Sequence, residues 1–174
     1  MSAQFLILLR LLHVVGGILW GGAAVFYLFF IKPSVQAIGP AGPEFMRSLA
    51  QRRKYPAFMM VTSSLTVLAG AVLLWATSAG LNHNWLRSGP GIGFTIGSIA
   101  ALLSYLVGSI RIGPTSAKLA RIGAEIESGG KPPSPEQARR LAALQKQLVS
   151  AELFSFVMLS IAMLTMATAR YWYF

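Results

Sequence analysis

Four long apolar stretches dominate the pattern of hydrophobic and polar positions along this chain. They cover residues 5–31, 57–79, 92–112 and 148–169, and segments rich in charged or turn-forming residues separate them. A helix needs about 20 predominantly apolar residues to cross a bilayer, and lipid offers backbone groups no hydrogen-bond partners. Barrel strands would instead give short alternating segments, which the chain lacks. The pattern therefore predicts an all-α bundle of four transmembrane helices in a single domain over residues 1–174.

Two proline-containing pairs predict where membrane helices end. Lys32-Pro33 closes the first span, and Gly113-Pro114 breaks or kinks the third span at the membrane surface, because proline lacks the N–H that a helix interior requires. A turn-rich break at residues 39–43 follows the first span. The apolar positions just after it predict a short amphipathic helix on the inner membrane surface.

A helical hairpin extension is predicted over residues 115–147. A helix over 115–128 carries Leu119, Ile122 and Ile126 on one face. After a glycine–proline turn, Ser134 and Gln137 have the spacing of a capping box. Because no glycine or proline interrupts the chain from Pro135 onward, we expect one helix to run from there to about residue 169, antiparallel to the first helix of the hairpin.

Composition supports a membrane protein and excludes several chemistries. Charged residues make up 11% of the chain and hydrophobic residues 55%, whereas soluble domains carry about 25% charged residues. The absence of cysteine removes disulfides, thiolate metal sites and iron–sulfur clusters. Aspartate is also absent, which excludes a Ser-His-Asp triad. The first apolar run lacks a basic n-region and a small-residue cleavage site, so we expect a retained span rather than a signal peptide.

The net charge of +10 is concentrated in the first and third connections. Both connections lie on the same side of a four-span bundle, and the positive-inside rule makes that side cytoplasmic. We therefore expect a multi-pass protein of the bacterial inner membrane with both termini external and a cytoplasmic hairpin extension. Topology and anionic lipid headgroups account for the charge, so nucleic acid is not an expected partner. The basic residues of these two connections are Lys32, Arg47, Arg52, Arg53, Lys54, Lys118, Arg121, Lys131, Arg139, Arg140 and Lys146.

The first span carries two ionisable residues, Arg10 and His13, which share a helix face. Ionisable groups at membrane depth are costly and usually mark a functional site. Imidazole is a common axial ligand of haem iron and also binds copper. We therefore predict His13 as a cofactor ligand that points into the bundle, with Arg10 as an anion partner. A histidine satisfied by a neighbouring helix, and an arginine that reaches the headgroups, are the structural alternatives.

The same face continues through small residues and one indole. Gly17, Trp20 and Gly21 are predicted to form the wall of the cofactor pocket, because small residues make room for a flat macrocycle. Small-xxx-small spacing such as Gly17–Gly21 is equally typical of close helix packing. Both interpretations remain open for these three residues.

A second ligand is harder to identify from the sequence. Met163 of the fourth span lies at a depth comparable with His13, so it is the predicted second metal ligand. Methionine in an apolar helix is often a packing residue, and His83 in the outer connection is the other histidine. Glu152 is predicted to pair with Arg111 or another base at the inner surface.

The motif at residues 9–22, which reads Leu-Arg-Leu-Leu-His-Val-Val-Gly-Gly-Ile-Leu-Trp-Gly-Gly, is similar to a recurring membrane signature. It resembles the first span of the CopD copper-resistance membrane domain, of the HemJ-type protoporphyrinogen oxidases and of the membrane domain of cytochrome-linked urate oxidases. In the HemJ-like group the histidine of this motif is associated with haem. The resemblance implies that role for His13 alone.

These observations lead to three functional expectations. The first is a small haem b-binding or metal-binding protein in electron transfer or cofactor handling. The second is a non-catalytic accessory subunit of a larger membrane complex or homo-oligomer, packed through its glycine-rich faces. The third is copper passage through His13 and methionines.

Overall fold

The fold is an all-α bundle with four helices that are long and apolar enough to cross a membrane. The computed structural model describes residues 1–130 and 132–173, and every regular element in that part of the chain is helical. This confirms the predicted fold class. The eight α-helices in these residues are α1 (Ala3–Phe26), α2 (Lys32–Ala37), α3 (Gly42–Arg47), α4 (Tyr55–Thr77), α5 (His83–Leu86), α6 (Gly89–Val107), α7 (Gly113–Ser128) and α8 (Pro135–Thr168).

The helices do not break at the two proline-containing pairs. A π-helical turn, Tyr27–Ile31, joins α1 to α2 just before Pro33, and another, Gly108–Ile112, joins α6 to α7 just before Pro114. In each turn a backbone N–H donates to the carbonyl five residues back. The wider turn accommodates a residue that lacks an N–H and whose ring would collide with the carbonyl four residues back. The prediction that Lys32-Pro33 closes the first helix is therefore wrong.

Two helix pairs form the bundle, and small residues allow the closest approaches. The most extensive packing joins α1 to α4 and α6 to α8. A Cβ atom on Gly16 of α1 would lie 2.6 Å from Oγ1 of Thr66, and one on Gly97 of α6 would lie 2.6 Å from Cγ of Met166. The α1–α8 and α4–α6 contacts, which we call the seams between the two pairs, are less extensive.

The helical hairpin forms as the local sequence predicts. Ser134 accepts a hydrogen bond from the Gln137 backbone N–H, and the Gln137 side chain accepts one from the Ser134 N–H, which completes the capping box. From this cap α8 continues without interruption to Thr168, about 50 Å at 1.5 Å per residue. Helix α7 packs against α8, and Ile122 is buried. We call this end of the bundle, which contains α3, α7 and the start of α8, the hairpin end.

Candidate functional site

His13 is anchored by a hydrogen bond between the first and second membrane helices. Its Nδ1 lies 2.8 Å from the backbone carbonyl oxygen of Thr66 in α4. A carbonyl oxygen only accepts, so Nδ1 carries the proton and donates it. In the neutral imidazole this arrangement leaves Nε2 unprotonated, with a lone pair available. The polar partner predicted for His13 is therefore a backbone carbonyl.

Gly70 makes room for the imidazole. A Cβ atom at this position would lie 2.7 Å from Cε1 and 2.8 Å from Nδ1 of His13, closer than real side chains approach. The side chain of His13 can reach the Thr66 carbonyl because α4 has no side chain at Gly70, one helical turn further on. From the sequence alone, Gly70 is one small residue among several in the second span.

The other predicted pocket residues are distributed along α1 without converging on His13. Arg10 is exposed. A Cβ atom on Gly17 would lie 3.7 Å from Cγ2 of Thr66, which is an ordinary van der Waals contact. Gly21 instead faces α8. Trp20 is buried and lines a cavity on the hairpin side of the bundle. Packing accounts for the two glycines, and Trp20 belongs to a separate site.

The structure does not bring Met163 to His13. A Cβ atom on Gly21 would lie 2.7 Å from Sδ of Met163. Gly21 is eight residues from His13, or about 12 Å along α1 at 1.5 Å per residue. His83 lies in the short helix α5. Among residues 1–130 and 132–173, no group of three or more histidine, cysteine or acidic side chains is arranged to hold a metal ion.

A cavity of about 660 Å³ lies between the helix pairs toward the hairpin end. Its walls come from all four membrane helices, from α7 and from the connection that contains α3. Apolar side chains such as Leu28, Met59 and Leu159 form much of the lining. Met46 and Leu49 of the first connection also line it, so the predicted amphipathic segment contributes to this wall.

The polar side of the cavity is a cluster that sequence reasoning only partly identified. The Glu152 carboxylate accepts a hydrogen bond from Lys32 Nζ, so Glu152 pairs with a base as predicted, although the base is not Arg111. The rings of Tyr27 and Tyr55 stack with their centroids 5.6 Å apart, and both phenols lie within electrostatic range of Glu152.

Two sequence features could have identified this cluster. Glu152 is the one acidic residue within an apolar run. In an up-and-down bundle, the end of the first span and the start of the fourth lie at the same depth, which places Lys32 next to Glu152. From the sequence, Lys32 contributes to the basic first connection and marks the predicted end of the first span.

Comparison of the chain with protein-family models, with curated proteins and with solved structures finds no match. A helical bundle supports many unrelated functions. Function must therefore be inferred from the residues and their geometry.

Proposed function

We propose that this is a small bacterial inner-membrane protein that binds haem b through His13 and acts in electron transfer or cofactor handling. The observation that carries the proposal is the hydrogen bond from Nδ1 of His13 to the Thr66 carbonyl. Histidines that ligate metals almost always donate the other ring N–H in this way, which fixes the tautomer and the ring orientation. The resemblance of residues 9–22 to haem-associated membrane signatures supports the same proposal.

His13 would supply one ligand to the haem iron. Nε2 of His13 is the candidate ligand atom, and the haem, when bound, would supply one-electron redox chemistry. Arg10 lies one turn away on the same helix and is exposed, so its guanidinium is available for a propionate. Met163 packs on Gly21 rather than beside His13, so it does not supply a second ligand at this position.

A visible absorption spectrum tests the proposal directly. The full chain, expressed with haem precursor and purified in a mild detergent, should show a Soret band. His13→Ala should abolish or shift that band while the helical circular dichroism stays unchanged. His83→Ala is the matched control, because it removes the other histidine of the chain without touching α1 or α4, and its spectrum should equal that of the wild type.

The same preparations distinguish the alternatives. A Soret band that is unchanged in His13→Ala would show that His13 is not the ligand. Bound copper without a Soret band would favour copper passage instead.

A second candidate, the non-catalytic accessory subunit, is favoured by the position of Arg10. This residue is exposed on a membrane helix, and among the described residues it has no ion pair. A charged group at membrane depth usually pairs with another polar group, which a neighbouring subunit could supply. Absence of both haem and copper, together with co-purification that depends on Arg10 and is lost in Arg10→Leu, would favour this candidate.

A further inference from the structure

We infer that the cavity between the helix pairs is a binding site for a lipid-soluble quinol. Such a molecule has a planar aromatic ring, hydroxyl groups that donate hydrogen bonds, and an apolar tail. The inference rests on the size, polarity and access of the cavity, and it does not depend on His13.

The size and composition of the cavity are those of a small-molecule site. Its volume of about 660 Å³ lies within the range of about 300–1,000 Å³ that is usual for ligand pockets. Apolar and aromatic side chains predominate, and a few polar groups converge on one side, as in most such sites.

Three hydroxyl groups of the lining have their protons committed to backbone carbonyls. Tyr55 donates its proton to the Ala23 carbonyl at 3.1 Å, and Ser63 donates to the Met60 carbonyl at 3.1 Å. Ser109 donates to the carbonyl of Tyr105 at 2.9 Å. Each hydroxyl oxygen keeps lone pairs after its proton is committed. Beside these three oxygens a ligand that brings its own donors is favoured, whereas Gln51 and Arg121 elsewhere in the lining carry N–H donors.

The strongest acceptor is the Glu152 carboxylate. Its side chain is only 9% exposed, and Oε2 receives the Lys32 hydrogen bond. Tyr27 also hydrogen-bonds to Glu152; because a carboxylate has about four lone-pair sites, Glu152 can still accept a donor from a ligand. Because Lys32 already neutralises the carboxylate, a neutral donor such as a phenolic hydroxyl is favoured over a second cation.

Aromatic side chains favour a flat ring in the same place. Tyr27 and Tyr55 are stacked with an interplanar angle of 21°, and both line the cavity with the buried Trp20. Offset stacking or edge-to-face contact with such rings is favourable beyond the area that it buries. A ring bound against these side chains has its hydroxyl groups near Glu152.

We place the route of an apolar tail at the seams between the helix pairs, where packing is less extensive. The α1–α8 and α4–α6 contacts are less extensive than those within each pair. Cavity-lining residues come from helices on both sides of these seams, including Phe156 of α8 and Leu28 beside α1. A tail that leaves through such a seam enters lipid, so the ligand can arrive laterally from the bilayer.

A matched pair of probes tests the inference. Decylubiquinol and decylubiquinone have the same tail and nearly the same ring, but only the quinol donates hydrogen bonds. Dissociation constants are measured anaerobically by calorimetry with the full chain in lipid nanodiscs. We expect the quinol to bind at least about tenfold more tightly than the quinone, which corresponds to about 1.4 kcal/mol.

Variants locate the site. Glu152→Gln should weaken quinol binding about tenfold, and Tyr55→Phe, which keeps the ring and removes an acceptor oxygen, should weaken it severalfold. Leu164→Ala is the control, because Leu164 is 68% exposed on the outer part of α8, and it should bind as the wild type does. Tyr55→Phe keeps the test decisive if Glu152→Gln does not fold.

Three results would overturn the inference. The first is a smaller preference for the quinol, or no quinol binding at all. The second is quinol binding that is unaffected in both cavity variants. The third is preferential binding of tetraphenylphosphonium, which would identify a site for lipophilic cations instead.

Discussion

The imidazole of His13 occupies the space left by the missing side chain of Gly70. The Cβ position of Gly70 lies 2.7 Å from Cε1 of His13, and Nδ1 of the same ring lies 2.8 Å from the carbonyl oxygen of Thr66. Packing and hydrogen bonding are therefore coupled at this crossing of α1 and α4. A substitution at Gly70 therefore changes the orientation of the His13 ring and leaves the imidazole group itself in place.

Gly70→Ala should destabilise the protein by about 1–3 kcal/mol, the usual cost of inserting a methyl group into a packed contact. The measurement is the free energy of unfolding in mixed detergent micelles. Under the proposed function the same variant should shift the Soret band, because the imidazole loses its orientation.

Gly22→Ala is the control for this substitution. Gly22 lies in α1, and apart from the adjacent backbone of that helix no atom of residues 1–130 and 132–173 lies within 4 Å of its Cβ position. Alanine is favoured over glycine in a helix by roughly 0.5–1 kcal/mol, so the control should be neutral or slightly stabilising. Equal destabilisation by the two variants would contradict the packing role of Gly70.

The Lys32–Glu152 pair should contribute to stability more than the pairs on the hairpin surface. The side chains of Lys32 and Glu152 are 24% and 9% exposed, whereas those of Arg47 and Glu127 are 43% and 58% exposed. Lys32→Met should therefore cost about 1–3 kcal/mol, below the 3–5 kcal/mol of fully buried pairs, because Glu152 is left without its cation.

Two further variants check that explanation. The double variant Lys32→Met/Glu152→Leu should recover much of the loss, because no unpaired charge remains. Arg47→Ala should change the free energy of unfolding by less than about 1 kcal/mol, as expected for an exposed pair. A double variant as unstable as Lys32→Met alone would rule out the unpaired charge as the cause.

Ser134→Ala should destabilise the start of α8 by about 1 kcal/mol, because it removes the side-chain acceptor of the capping box. Hydrogen–deuterium exchange should accelerate over the first turns of α8 and remain unchanged near its membrane-spanning end. Ser128→Ala serves as the control, since the Ser128 hydroxyl donates to the Glu125 carbonyl and caps no helix start. Equal exchange in both variants would be inconsistent with the cap.

The membrane orientation follows from the basic connections. Reporter fusions after Ile38 and after Gly130 should read cytoplasmic, and a fusion in the connection at residues 82–87 should read external, because basic loops are retained inside. The reversed pattern would place the hairpin end outside and His13 in the inner half of the membrane.

The sequence by itself determined the elements. Length and hydropathy set the four membrane helices, because lipid requires every backbone group to be bonded within the segment. The start of α8 is also determined by local sequence, since Ser134 and Gln137 each accept a hydrogen bond from the other's backbone N–H without any tertiary contact. The π-helical turns before Pro33 and Pro114 could not be predicted, because a break and a widened turn both accommodate a missing N–H.

The tertiary structure decided which side chains meet. Hydropathy does not fix the rotation of a membrane helix, since an apolar side chain is tolerated on both its lipid-facing and its protein-facing surfaces. His13 therefore could not be assigned to Thr66 and Gly70 rather than to Met163, nor Glu152 to Lys32 rather than to Arg111. These partners follow from the close approach of particular helix faces. At one such contact Gly70 leaves room for the His13 ring, and at another Lys32 and Glu152 lie at the same depth and form an ion pair.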